Sequence, residues 1–138
     1  MRFCLAGALV LSGAVSAHAD ILVSEGVVRL PSPGAMSAAG YLTLTNTGAD
    51  DDRLLSVTTD GARRAELHLS HMVDGVMQMT RQDDGIALPA GESVALSQGG
   101  LHVMLMGVMG LAEAGNLTLT LTFEHWPAIT LDLPVTLP

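Results

Sequence analysis

Six of the seven methionines that follow Met1 fall between positions 72 and 109: Met72, Met77, Met79, Met104, Met106 and Met109. His68, His71 and His102 fall in or beside the same window. Methionine is not a favoured strand residue. Its thioether is a soft, uncharged ligand suited to Cu(I), and imidazole suits copper as well. Taken singly, each of these methionines reads as flexible core filler and each histidine as a satisfied polar residue. Several of both on the polar faces of neighbouring segments are harder to explain as packing, and they point to a soft metal.

The segments that must position them alternate apolar and polar residues, the pattern of half-buried strands. Such windows run over 21–30, 41–47, 53–59, 64–70, 93–97, 101–107, 116–124 and 128–135. Turn sequences separate them, among them "PSPG", "TGADDD", "LPAGES" and "SQGG", and Asp74-Gly75 predicts a tight hairpin. No stretch keeps a helical period. Eight or nine short strands predict an all-β, antiparallel β-sandwich of one domain. Alternation then sorts the side chains. In "RAELHLS", Leu67 and Leu69 share one face, and Glu66, His68 and Ser70 the other. In "LHVMLMG", Leu101, Val103 and Leu105 oppose His102, Met104 and Met106. Met77 and Met79 lie on one side of the strand leaving the Asp74-Gly75 turn, so either could join His68, His102 and Met104.

Composition narrows the chemistry. Residues 1–19 carry Arg2, the apolar run "FCLAGALVLSGAVS" and "AHA", the pattern of a cleaved secretory signal peptide, which leaves residues 20–138 as the working domain. Cys4, the one cysteine, lies inside that signal. The domain therefore has no thiolate for zinc, iron–sulfur or blue-copper sites, and no lipobox cysteine at the cleavage point. With Arg2 removed, five arginines and no lysine face fourteen acidic residues, so the formal charge moves from −8 to −9. That balance argues against nucleic acid as a partner. No later segment is apolar and long enough to embed in a membrane. The remaining aromatics, Tyr41, Phe123 and Trp126, are assigned to packing.

The stretches "AAGYLTLTNTG" (38–48), "AELHLSHMVDGVMQM" (65–79), "LPAGESVALSQGGLHVMLMG" (88–107) and "LTLTLTFE" (117–124) together resemble the PCuAC (DUF461) family of periplasmic copper chaperones. The family motif is a His, ten residues, a Met, about twenty-one residues, then His-x-Met. In this chain His68, Met79, His102 and Met104 follow it, with the second gap about one residue longer. His71 does not, because ten residues further on lead to Gln82. The resemblance implies a cupredoxin-like sandwich in the periplasm that binds one Cu(I) ion per chain near solvent. It names His68, Met79, His102 and Met104 as the metal ligands. Its implied partners are apo cytochrome c oxidase subunit II, whose CuA centre would receive the copper, and a Sco-type protein, with the chaperone itself a monomer. Some family members carry a Met- and His-rich C-terminal tail for a second copper; this chain ends at "LPVTLP".

No Ser/His/Asp or paired-carboxylate arrangement with supporting spacing is present, so no enzyme activity is expected. Two rival readings stand beside the carrier: a periplasmic copper buffer without a dedicated acceptor, and a β-sandwich interaction module that binds no metal.

Overall fold

The computed structural model describes residues 20–138, so the expected signal segment lies outside the described residues. Ten strands follow in order: β1 (Ile21–Arg29), β2 (Ser37–Asn46), β3 (Asp52–Thr58), β4 (Arg64–Val73), β5 (Val76–Arg81), β6 (Ile86–Leu88), β7 (Ser93–Leu96), β8 (Leu101–Met106), β9 (Asn116–Phe123) and β10 (Ile129–Thr136). One helical turn, α1 (Leu111–Ala114), sits between β8 and β9. Hydrogen bonding runs β5-β4-β8-β2-β1-β10-β9-β3-β6, with β7 also on β2.

Period-two patterning builds the two layers. In β9, Leu117, Leu119, Leu121 and Phe123 are buried, while the intervening Thr118, Thr120 and Thr122 are not. Leu42 and Leu44 of β2, Val103 and Leu105 of β8 and Leu54 of β3 meet them in one core. All five are at most 1 % exposed. Burying each such side chain contributes about 1.5–3 kcal/mol. Among the described residues no helix is long and apolar enough to cross a membrane.

The expected sandwich is present, with three local differences. First, β1 and β10 pair in parallel through Val28↔Val135 and Arg29↔Thr136, joining the two layers at the chain ends. A bulge in β1 between Ser24 and Val27 interrupts its register with β2. Glu25 takes a positive φ of 57° there, and Gly26 packs so close to Leu133 that a Cβ would collide with it. Second, β2 starts at Ser37 rather than 41. Ala38, Ala39 and Gly40 are poor strand formers, but pairing with Leu105, Met104 and Val103 of β8 holds them extended. A side chain at Gly40 would place its Cβ 3.1 Å from that of Val103. Third, the three-residue β6, too short to show a period, pairs with β3.

The hairpin expected at Asp74-Gly75 forms. Val73 and Val76 close it, with φ of 50° at Asp74 and 80° at Gly75. Two successive positive φ values mark the turn whose twist matches its strands. β5 is the last strand of its layer, and all six of its residues are exposed.

Candidate metal centre

Register decides which of the candidate ligands meet. His68 of β4 is the direct cross-strand partner of His102 of β8, and Glu66 that of Met104. Ser70 of β4 is opposite Met79 of β5. Directly opposed residues of an antiparallel pair project from the same face. His68, Met79, His102 and Met104 therefore share one face of three neighbouring strands. Along that face Met79 lies two residues toward the hairpin tip from the histidine pair, and Met104 two residues the other way.

The face forms the wall of a cleft of about 660 Å³ lined by Tyr41, Ser70, Met77, Met79, His102 and Met104, among others. His68 does not line it; its ring stands 5.9 Å from that of His102, centroid to centroid, at a tilt of 52°. Burial grades across the site. His102 is only 3 % exposed, whereas Met79 is 54 % and Met77 52 % exposed.

Both imidazoles are held so that one nitrogen is left with a lone pair. The turn between β7 and β8 is closed by Gly100 N–H donating to Ser97 O and Ser97 N–H donating to Leu101 O. This aims the Gly100 carbonyl at His102, whose Nδ1–H donates to it at 3.0 Å. A carbonyl only accepts, so in the neutral ring Nε2 of His102 carries the lone pair. The same carbonyl also accepts from Ser70 N–H at 3.0 Å, which ties β4 to the turn. His68 Nε2–H donates to Glu66 Oε2 at 2.8 Å. Its Nδ1, the lone-pair nitrogen of the neutral ring, is buried without a hydrogen-bond partner. A buried acceptor with no donor is costly, and a ligand would satisfy it. Such a carboxylate–imidazole pair is how metal-binding histidines are commonly oriented.

Glu66 is held in place from three sides. Arg64 and Arg81 each stand 3.4 Å from its Oε1, and Arg81 pairs further with Asp83. The His68 hydrogen bond, foremost, holds the Glu66 carboxyl below its ordinary range; desolvation opposes this, and the two arginines add to it. Glu66 is therefore ionised and accepts the His68 proton as drawn.

The donor set suits a soft monovalent metal. It offers two imidazole nitrogens and thioether sulfurs, which need no deprotonation. Among the described residues no group of three or more His, Cys, Asp or Glu is arranged to hold a metal.

Residue by residue, the sequence expectations fare unevenly. His102, Met104, Met79 and Met77 line one cleft, and His68 adjoins it through His102. Met77 and Met79 both remain available. His71 faces the other side of β4, opposite Gln78. Met106 is half-buried and accepts a hydrogen bond from Arg64 Nη2 at 3.6 Å. Met109 is a surface residue, 84 % exposed. Two participants carried too weak a signal to be assigned. Glu66 shares the His68 face, yet only its contact gives it a role. Tyr41, assigned to packing, lines the cleft with its ring 6.5 Å from that of His102.

Comparison with known proteins agrees with this architecture. The family model for LpqE-like lipoproteins matches residues 21–135. A lipoprotein of Leifsonia xyli subsp. xyli is 30% identical over 116 residues, covering 83% of this chain and 69% of that protein. The copper-bound PCuAC domain from PmoF2 superposes with a TM-score of 0.71 at 27% identity, over 88% of this chain and 99% of that one. The Cu(I) form of DR1885 from Deinococcus radiodurans shares the fold, with a TM-score of 0.64 at 24% identity over 91% and 85% of the two chains.

Proposed function

The chain belongs to the LpqE-like family and has the PCuAC fold, and on that footing we propose that it is an exported Cu(I) carrier. It holds one ion per chain through His68, Met79, His102 and Met104. The observation that carries this reading is the pair of tethered imidazoles. Gly100 fixes His102 and Glu66 fixes His68, each through one ring nitrogen, on the strand face that also carries Met79 and Met104. The copper-bound PCuAC domain from PmoF2, 27% identical, supports copper as the metal.

The register gives the binding event a direction. Met79 and Met104 lie on opposite sides of the histidine pair, and Met79 rides on β5, an exposed edge strand. His102 and Met104, on a strand buried between neighbours, form the fixed half of the shell. Met79 is the mobile half, and the ion draws the hairpin arm toward β8. Release is the reverse: an acceptor's ligand displaces the exposed thioether first. No electron or proton moves in this exchange.

In the periplasm this exchange would deliver copper to the CuA site of apo cytochrome c oxidase subunit II, with a Sco-type protein as a second partner and the carrier acting as a monomer. Mixing the Cu(I)-loaded chain with a purified CuA-bearing domain tests the delivery. Copper should appear on the acceptor with its purple CuA absorption once both ions and the oxidising equivalent are supplied. Retention of copper by the chain in the presence of excess acceptor would leave it a buffer.

A further inference from the structure

We infer that the tip of the β4–β5 hairpin is a second, weaker Cu(I) site, built from the sulfurs of Met72 and Met77, from which the ion passes to Met79 and enters the cleft. The inference rests on the reading of the cleft as a Cu(I) site only for the ion's destination.

The placement of these three residues follows from the hairpin register. Val73 and Val76 flank a two-residue turn and are the closing hydrogen-bonded pair. The next pair, Met72↔Met77, is therefore a non-hydrogen-bonded one. In such pairs the Cα atoms are about 4.5 Å apart and the side chains stand closest. Met79 follows Met77 on the same face, about 6.8 Å along the strand. Three flexible side chains, each with three rotatable bonds before the methyl group, thus project together. No other three methionines of the described chain are so near one another by backbone register. Met104, in particular, is separated from Met79 by β4.

Exposure removes the packing explanation. Met72 is 60 % exposed and Met77 and Met79 just over half. Side chains that filled a core would not be so open, and isolated apolar residues on a surface would not be three thioethers on one face. Thioether ligands alone favour Cu(I), the softest of the common biological ions. The net charge of −8 adds a general attraction for a cation.

The site also has an exit. Met77 and Met79 line the cleft together with His102 and Met104. An ion captured at the tip passes from the Met72–Met77 pair to Met79 by exchanging one thioether at a time. It then reaches the imidazoles, which hold it more tightly.

The test is a Cu(I) titration of the full chain, anaerobic and reduced, with the methionine methyls labelled and followed by NMR, for the wild type and Met72→Leu. The Met72→Leu side chain keeps the volume and removes the sulfur. The expected result is a tight phase that shifts the Met79 and Met104 methyls, then a weaker phase that shifts Met72 and Met77. Met72→Leu should lose the weaker phase, keep the tight one, and load its cleft more slowly from a Cu(I)–chelator complex. A Met72 methyl that stays still in excess Cu(I), with the tight phase intact, overturns the entry site and leaves the carrier reading standing. Shifts of Met72 and Met77 without Met104 establish the hairpin site and overturn the cleft. Methyls that do not respond at all overturn both.

Discussion

His68 and His102 face each other directly across the β4–β8 ladder, ring centroids 5.9 Å apart. Each gives one ring nitrogen to a fixed acceptor, Glu66 for His68 and the Gly100 carbonyl for His102. Two imidazoles placed so close and both preset in their tautomers leave little to reorganise when a cation arrives, which is the condition for tight and selective binding.

His102→Ala and Met104→Leu should each weaken Cu(I) binding at least about tenfold, which corresponds to roughly 1.4 kcal/mol. Competition against a colorimetric Cu(I) chelator measures this. The fold should survive His102→Ala, because Gly100 O still accepts from Ser70 N–H. Unchanged affinity in both variants would place the copper elsewhere.

Glu66→Gln should weaken Cu(I) binding by about 10–100-fold although Glu66 is no ligand, because a neutral amide no longer holds the His68 tautomer as firmly. The same residue predicts a pH effect on the apo protein. Its pKa is lowered in the folded state, so its contribution to stability is complete above the ordinary carboxylate pKa and is lost as pH falls through the lower folded value. Urea denaturation across the acid range should show that loss in the wild type and a flatter profile in Glu66→Gln.

Leu105→Ala should cost about 2–5 kcal/mol, since Leu105 is fully buried and leaves a cavity between the layers. Leu105 lies between Met104 and Met106 on the reverse face of β8, so Cu(I) affinity should fall with stability rather than independently of it. Paired urea and chelator titrations separate the two effects. Unchanged affinity at reduced stability would show that the core does not set the ligand positions.

Hydrogen–deuterium exchange should slow in β5 when Cu(I) binds, because Met79 is drawn toward the buried ligands. The β5 amides lie on an exposed edge strand and exchange readily in the apo protein. Core strand β9 should change little. Unchanged exchange in β5 would exclude Met79 and Met77 as ligands.

Most of the fold was legible because the alternation is strong. "NLTLTLTFE" gives β9 almost to the residue, and Asp74-Gly75 gives the hairpin by its φ requirements alone. The extension of β2 back to Ser37 was not legible, since small residues at Ala38, Ala39 and Gly40 become a strand only through β8. The parallel β1–β10 contact depends on a crossover spanning the whole chain, which no local window contains. At the site, parity along each strand placed His102 with Met104, and Met77 with Met79. It could not show that His68 meets His102 side by side, because register between strands is set by the hairpins and the core. Glu66 and Tyr41 stayed hidden for a related reason: a charged residue beside a His and a lone Tyr both fit ordinary surface and packing roles until their contacts are seen.

The central claim is that His68, Met79, His102 and Met104 together hold one Cu(I). X-ray absorption of the chain loaded with one equivalent of Cu(I) under reducing conditions counts the neighbours directly. Two sulfurs and two nitrogens are expected, and Met104→Leu should remove one sulfur. A shell dominated by oxygen, or one with no sulfur, would contradict the assignment.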